Sequence, residues 1–376
     1  MNNKTISFAR KFEMSASERL TKLRERLWYE QDVNSIKGKL LQCERNPLTK
    51  DQIEAVQAYW MGLTGKKLPY YWHEYFYSRN GEFSVRYVPT CFYHSDIIYR
   101  LNNRPLTMAY TDKCSLDNYF ADVNRPKTII RNIDGFFFDD KRPITRDEAL
   151  ALCRDLESVV IKPSMIGMWG CGVRLFSSRG GRIGENETLE DLFGAYKENF
   201  IVQEKVIQHP EMARLNPTSL NTLRVLSFHR GDEVYILYAV VRIGRKDKQV
   251  DNETAGGINA DILLENGCVR DCAYGTPAEK RIPMTDVGTP LKGYRIPAFS
   301  DAMQVVKDLH KRLPYFSLVG WDFGIDSAGR PVLIEWNRCP DLSQTAHGPA
   351  FGEMTEEIIK YALSRRDTFN IRLWMG

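Results

Sequence analysis

Apolar residues in the first part of the chain recur every three to four positions, the spacing of one face of an α-helix. Leu20, Leu23 and Leu27 follow a Ser15–Glu18 pair, and Ile53, Val56 and Trp60 follow Thr49–Gln52. Each pair has capping-box spacing, in which two side chains satisfy the free backbone N–H groups of a helix start. Residues 1–75 are therefore expected to be helical. The stretch YYWHEYFYSRNGEFSVRYVPTCFY (70–93) breaks the pattern; it is aromatic-rich and irregular, and its rings read as core or interface.

From about residue 125 the period changes. RPKTIIRN (125–132), VVIKPS (159–164) and NFIVQEKVI (199–207) read as strands. Thr145 with Glu148 predicts a helix through Leu156, and LEDLFGAYKEN (189–199) predicts another. Two hairpins follow. NTLRVLSF and VYILYAVVRIG flank HRGDE, and GWDFGI and PVLIEWN flank DSAGR. Between them Ser300 opens a helix carrying Val306, Leu309 and Leu313, which Pro314 ends; Thr355 opens the last helix. Helices mixed with hairpins predict an α+β fold with antiparallel sheets.

The 376 residues, 43% hydrophobic and 27% charged, suffice for roughly two or three packed units. A net charge of +4 is too small for a dedicated nucleic-acid binder. No run of about 18 apolar residues suggests a membrane span. The start, MNNKTISFARKFEMS, lacks the apolar centre of a signal peptide. The eight cysteines are scattered, and no second pair joins Cys268 and Cys272 to complete a zinc site. Reduced thiols and a cytoplasmic location are expected.

The chemistry concentrates at LIEWNRCPD (333–341). In a strand, Glu335 and Asn337 share a face. A carboxylate on a buried strand needs a counter-charge. A four-residue loop, Ser327–Arg330, would pair Asp326 with Pro331, Ile325 with Val332, Phe323 with Ile334 and Asp322 with Glu335. Carboxylates placed opposite one another, about 5 Å apart at Cβ, repel unless a cation intervenes. That cation is either an arginine, such as Arg338, or a metal. Two carboxylates and the Asn337 amide oxygen suit Mg²⁺.

A second candidate is VVIKPSMIGMWGCGVRLF (159–176), where Lys162 precedes Gly167, Gly170 and Gly172. Glycines let backbone N–H groups approach phosphates, and a lysine adds a point charge. A plain strand–loop–strand hairpin explains the same pattern, and no Gly-Lys-Ser/Thr closes a P-loop. The end of NFIVQEKVI could hydrogen-bond a purine. No Ser-His-Asp or Cys-His set stands out, and His209 and His347 read as surface or packing residues.

In this order, the strand lysine, glycine loop, Gln-Glu-Lys-Val segment, basic hairpin and Asp322…Glu335-x-Asn337 set resemble the ATP-grasp superfamily, which includes biotin carboxylase and D-alanine–D-alanine ligase. YTDKCSLDNYF, SLNTLRVLSF, VVRIGRKDKQVDNETAGGI, GTPLKGYRIP and VGWDFGIDSAGRPVLIEWNRCPD look like the sugar-transfer-associated ATP-grasp family, over about residues 70–352. The resemblance implies an ATP-grasp fold, with two α+β subdomains clamping ATP. A helical N-terminal extension would span 1–72, a pre-ATP-grasp region 73–124, a small lid subdomain 125–204, and a large subdomain with the metal site 205–376.

It also implies ATP and Mg²⁺ as cofactors. Lys162 would contact the phosphates, with Lys127 as a second phosphate lysine, and the Gly167–Gly172 loop would close over them. Gln203, Glu204 and Val206 would line the adenine, with Glu204 or Glu211 reaching the ribose. Asp322, Glu335 and Asn337 would hold the metal, and Arg224 and Arg242 would neutralise the transferring phosphoryl group. D-alanine–D-alanine ligase carries an arginine two residues before its first metal aspartate. Gly320 stands there in this chain, so that arginine must be Arg224, Arg242 or Arg338. VDNETAGGINADI (250–262) is expected to close over an acceptor, with Asp251 and Asn252 as contacts. The implied reaction joins a small-molecule carboxylate to an amine, on a sugar acid or glycan precursor. A kinase using Asp251 or Asp341 as base, and a non-catalytic nucleotide binder, are the alternatives.

Overall fold

The computed structural model describes residues 23, 26–165, 172–248, 251 and 256–365. Ser15, Glu18, Leu20, Gly167, Gly170 and Asn252 lie outside the described residues. Two six-stranded antiparallel sheets organise the chain.

The first sheet contains β1 (Thr128–Ile133), β2 (Phe136–Asp139), β3 (Arg142–Ile144), β4 (Leu156–Pro163) and β5 (Arg174–Ser178). A two-stranded ribbon, β6 (Arg182–Ile183) and β7 (Glu187–Thr188), leads on towards β8 (Phe200–Glu204), giving the order β3-β2-β1-β8-β4-β5. Ile130, Ile161 and Val202 pack with Ala149 and Phe193 of helices Arg146–Leu152 and Leu189–Tyr196. The expected capping box forms at Thr145, and a second, unexpected one forms at Thr188 with Asp191. The first helix ends at Leu152 instead of Leu156, because Leu156 opens β4 and its N–H donates to Ser178 Oγ on β5.

The second sheet contains β9 (Thr222–Arg230), β10 (Glu233–Ile243), β11 (Ile258–Ile262), β12 (Val269–Tyr274), β13 (Leu318–Ile325) and β14 (Pro331–Asn337), in the order β12-β11-β10-β9-β13-β14. One face buries Val225, Val241 and Trp321 against helix Phe299–His310. That helix starts at Phe299, after Ala298, and Leu313 joins the core from beyond its end. The other face buries Leu226, Phe228 and Tyr238 under Trp60 of helix Lys50–Thr64 and Ile358 of helix Thr355–Ser364. The Thr49–Gln52 capping box forms as expected. Residues 26–42 are also helical, and the aromatic stretch contains a helix, Tyr71–Asn80. Its Trp72, Tyr75 and Phe76 follow helical spacing and pack on Ile36 and Leu40. Ile258–Ile262, read as part of a closing loop, is strand β11.

The β13–β14 turn is one residue tighter than expected. Asp326 N–H donates to Arg330 O, Gly329 turns the chain at φ +77°, and Ile325 pairs with Pro331. Phe323 therefore faces Leu333 and not Ile334. A bulge at Ile334 restores the count, so Asp322 does face Glu335.

Candidate functional site

Residues directly opposite on antiparallel strands share a face. Val240, Arg224, Asp322 and Glu335 thus form one row across β10, β9, β13 and β14. Two residues along, the same face carries Arg242 on β10 and Asn337 on β14. These five polar residues line a cleft of about 1020 Å³ that Lys162, Gln203 and Val206 line from the first sheet's side.

Arg224 and Asp322 are both buried. The guanidinium donates from Nε and Nη2 to the two carboxylate oxygens at 2.6 and 2.7 Å. Arg242 stands 3.5 Å from Asp322 Oδ2, and Asn337 Nδ2 donates to the same oxygen at 3.1 Å. Burial alone would raise the Asp322 carboxyl, but Arg224 and Arg242 outweigh it and hold it at about 2. Glu335 is answered by Lys113, 3.2 Å away. Protein cations therefore supply the counter-charge for both carboxylates. A Cβ at Gly320 would lie 2.6 Å from Pro340 Cβ and 3.6 Å from Arg224 Cδ. No side chain fits there, and the guanidinium at this place comes from Arg224 on the neighbouring strand.

Among the described residues, no group of three or more His, Cys, Asp or Glu side chains is placed to hold a metal. Mg²⁺ needs fewer: one or two carboxylates, with phosphate and water completing its shell. Glu335, its side chain 30% exposed, is the ligand left most open. Asp322 Oδ2 accepts from both Arg224 and Asn337, but Oδ1 accepts from Arg224 alone among the described residues and keeps a second lone pair. With Glu335 it makes an oxygen-only pair that fits Mg²⁺. Asn337 turns its amide nitrogen to Asp322, which leaves its own oxygen facing no donor among the described residues.

Lys162, on β4, is buried and faces the cleft. Burial first, then the neighbouring Lys113, lowers its ammonium to about 8. Glu335 counters this from a distance but is itself paired with Lys113. Across the cleft Asp251 accepts from Thr222 N–H at 3.0 Å, and burial pushes it up to about 6 against the pull of Arg242.

One family model, described as sugar-transfer associated ATP-grasp, matches residues 93–358. The chain belongs to this family. Its two antiparallel sheets with their helices make up an ATP-grasp fold, preceded by a largely helical region over 26–80. Among solved structures the ATP-grasp chain is similar to the ATP-grasp ligase PsnB complexed with its minimal precursor, at 10% identity and TM-score 0.39, covering 70% of this chain and 62% of that one. It is also similar to the VanG D-Ala:D-Ser ligase from Enterococcus faecalis, at 14% identity and TM-score 0.38, covering 68% and 61%. Biotin carboxylase from Campylobacter jejuni gives 12% identity and TM-score 0.42, covering 71% and 49%. The chain thus spans less than two thirds of the length of each. No curated protein sequence matches it.

Within this ATP-grasp fold the remaining expected residues scatter. Gln203 lines the cleft, with its amide donating to Thr128 Oγ1 at 3.1 Å, and Glu204 and Val206 line it too. Gly172, at φ +75°, sits against the end of β4: a Cβ there would meet Pro163 Cγ at 2.9 Å. Lys127 is not itself among the cleft-lining residues, but its Nζ is 3.3 Å from Glu204, which is; its side chain is 76% exposed. Glu211 is also elsewhere, held by Arg214 and the Tyr294 hydroxyl, both at 3.1 Å. His209 accepts from Glu211 N–H at a helix start, and His347 pairs with Asp261 at 2.7 Å, as packing residues do.

Two features escaped the sequence reading. Lys113, from YTDKCSLDNYF, is the second cleft lysine; its N–H donates to Ser164 O at 3.1 Å, tying the segment to the end of β4. The other is a His–Asp pair. His94 Nδ1 lies 3.0 Å from Asp32 Oδ2, and both residues line the cleft. Burial alone would lower His94, but Asp32 and Cys339 nearby raise it to about 10.

Proposed function

We propose that this ATP-grasp protein is an ATP- and Mg²⁺-dependent ligase joining a carboxylate to an amine through an acyl phosphate. The observation that carries the reading is one cleft with a buried, unanswered lysine on one side and the Arg224–Asp322–Glu335 row on the other. Such a cleft suits a polyphosphate that shifts negative charge during reaction.

Lys162 would neutralise the nucleotide phosphates, and Gln203, Glu204 and Val206 would flank the adenine. Glu335 and Asp322 would hold Mg²⁺, which offsets phosphate charge when bound. Arg242, and Arg224 fixed by Asp322, would face the transferring phosphoryl group. The acid's oxygen attacks the γ-phosphorus and ADP leaves; the amine then attacks the acyl carbon and phosphate leaves. The residues act by positioning and charge. The family description favours a sugar acid or glycan precursor as the acid-bearing substrate, in polysaccharide biosynthesis. Use of ATP favours the cytoplasm; among the described residues no helix is long and apolar enough to cross a membrane.

Asp251 favours a second reading. A half-buried carboxyl raised to about 6 suits a base that takes a hydroxyl proton in a kinase. Hydroxylamine separates the two, since it traps an acyl phosphate as a hydroxamate. With Mg-ATP, a panel of acids and no amine, mass spectrometry should show ADP, phosphate and a hydroxamate. A stable phosphoester from a hydroxyl acceptor, with no hydroxamate from any acid, would replace the ligase with the kinase.

A further inference from the structure

We infer that the helical region ahead of residue 93 is the wall of the acid substrate's subsite, and that this acid carries an anionic group besides the carboxylate that reacts; this rests on the ligase reading above. The family model begins at residue 93, yet the cleft continues past that boundary. Asp32, Ser35 and Lys39 line it. Their spacing, i, i+3 and i+7, is one face of the helix over 26–42. Trp72, Tyr75 and Phe76 line it from a second helix, Tyr71–Asn80. The cleft, at about 1020 Å³, is at the top of the range of roughly 300–1,000 Å³ for one small-molecule site, which leaves room for a substrate beside the nucleotide.

The same helical region fixes the two loops that complete this end. One follows Asn337 directly and lines the cleft from Arg338 to Ser343. The Tyr93 hydroxyl donates to Pro340 O at 3.0 Å, and the Gln344 amide exchanges hydrogen bonds with Val88 N–H and C=O at 2.8 and 2.9 Å. The other loop follows β12. Buried Arg79 donates to the carbonyls of Gly275, Thr276 and Pro277 at 3.4, 3.1 and 3.0 Å, and all three residues line the cleft. Helices that only covered the sheet would not need to hold the backbone on both sides of an opening. Held in this way, the opening is preformed, as small-molecule sites usually are.

The charges at this end select an anion. Asp32 and His94 answer each other at 3.0 Å. Arg338, half-buried, and Lys39 form no side-chain hydrogen bond or ion pair among the described residues. Asp341 is the carboxylate left beside them, so positive charge is in excess. A guanidinium matches a carboxylate with two parallel hydrogen bonds, and an ammonium acts as a point charge. Arg338, one residue past Asn337, therefore meets the reacting carboxylate beside the phosphoryl group. Lys39, on the helix, meets the second anionic group. The occupant is a small organic acid with two anionic groups, such as a phosphorylated sugar acid.

Binding tests this apart from turnover. Three acids are titrated calorimetrically into the full chain, each with and without a phosphate: glycerate and 3-phosphoglycerate, gluconate and 6-phosphogluconate, glucuronate and its 1-phosphate. In at least one pair the phosphorylated acid should bind about tenfold tighter or more. Lys39→Glu should abolish that preference and Lys39→Arg should keep it, with melting temperatures unchanged. Ser35→Trp, one turn earlier on the same face, should weaken the preferred acid at least about tenfold by filling its space, while KM for ATP stays within about twofold. Equal affinity within every pair, or a preference that survives Lys39→Glu, would overturn the proposal. A hydroxamate from an acid whose KM ignores both Lys39→Glu and Ser35→Trp would leave the ligase standing and remove the subsite. Binding that obeys both variants, with no hydroxamate from any acid, would keep the anion subsite and remove the ligase reading.

Discussion

Two buried charges face the same cleft and solve the burial problem differently. Arg224 and Asp322 answer each other with two short hydrogen bonds, and Arg242 and Asn337 complete the shell. Lys162 forms no ion pair among the described residues and has Lys113 as a like-charged neighbour. The first arrangement balances its charge within the protein, with one Asp322 lone pair left for a cation. The second is complete only when an anion enters. Burial of charge alone does not mark a ligand site; burial without an answering charge does.

The largest effect expected from this contrast comes from breaking the complete pair. Arg224→Met or Asp322→Asn alone should cost roughly 3–5 kcal/mol, because each leaves the other group buried and unpaired. Combining Arg224→Met with Asp322→Leu should recover most of that loss. Urea unfolding of the three variants measures it. Single variants that cost under about 1 kcal/mol would show that the pair is not self-sufficient, and the contrast with Lys162 would fail.

Lys162→Met should act in the opposite direction. Without ligand it should stabilise the protein by roughly 3 kcal/mol, since one pKa unit corresponds to about 1.4 kcal/mol. Activity with ATP should fall at least about a hundredfold. The sign follows from the titration. The folded state lowers Lys162 from 10.5 to about 8, so the folded protein releases this proton more readily than the unfolded chain. The penalty is full below pH 8 and fades as pH rises towards 10.5. Melting temperatures across that window should converge for wild type and Lys162→Met. A constant gap, or a destabilised variant, would make Lys162 a structural lysine.

The legible part of the site was local. Capping boxes at Thr49 and Thr145, and the lysine within β4, depend on neighbours a few residues away. The Asp322–Glu335 pairing was read correctly although the turn was not, because a shorter loop and a bulge at Ile334 cancelled. The illegible part was non-local. β13 pairs with β9, and that register sets Arg224 opposite Asp322. No spacing along the chain announces it. The same holds for Asp32 and His94, which come from two segments and meet only in the fold. Tyr71–Asn80 was obscured by composition: aromatics on most of its positions hid the helical period.

The smallest effect should come from Lys127, the lysine that the resemblance set beside Lys162. Lys127 precedes β1, its side chain is 76% exposed, and its contact with Glu204 at 3.3 Å is a surface pair. Such pairs contribute little, because water already solvates both groups and both side chains lose freedom in pairing. Lys127→Ala should therefore change stability by less than about 0.5 kcal/mol and leave KM for ATP within about twofold. Lys113 differs in every respect that matters: it lines the cleft, its side chain is 13% exposed, and it holds Glu335. Lys113→Ala should raise KM for ATP about tenfold by removing one of two cleft ammonium groups. Initial-rate kinetics on both variants decides between the lysines. A large KM effect from Lys127→Ala with none from Lys113→Ala would mean that Lys127 serves the nucleotide, and that exposure in this structure misidentifies the phosphate lysine.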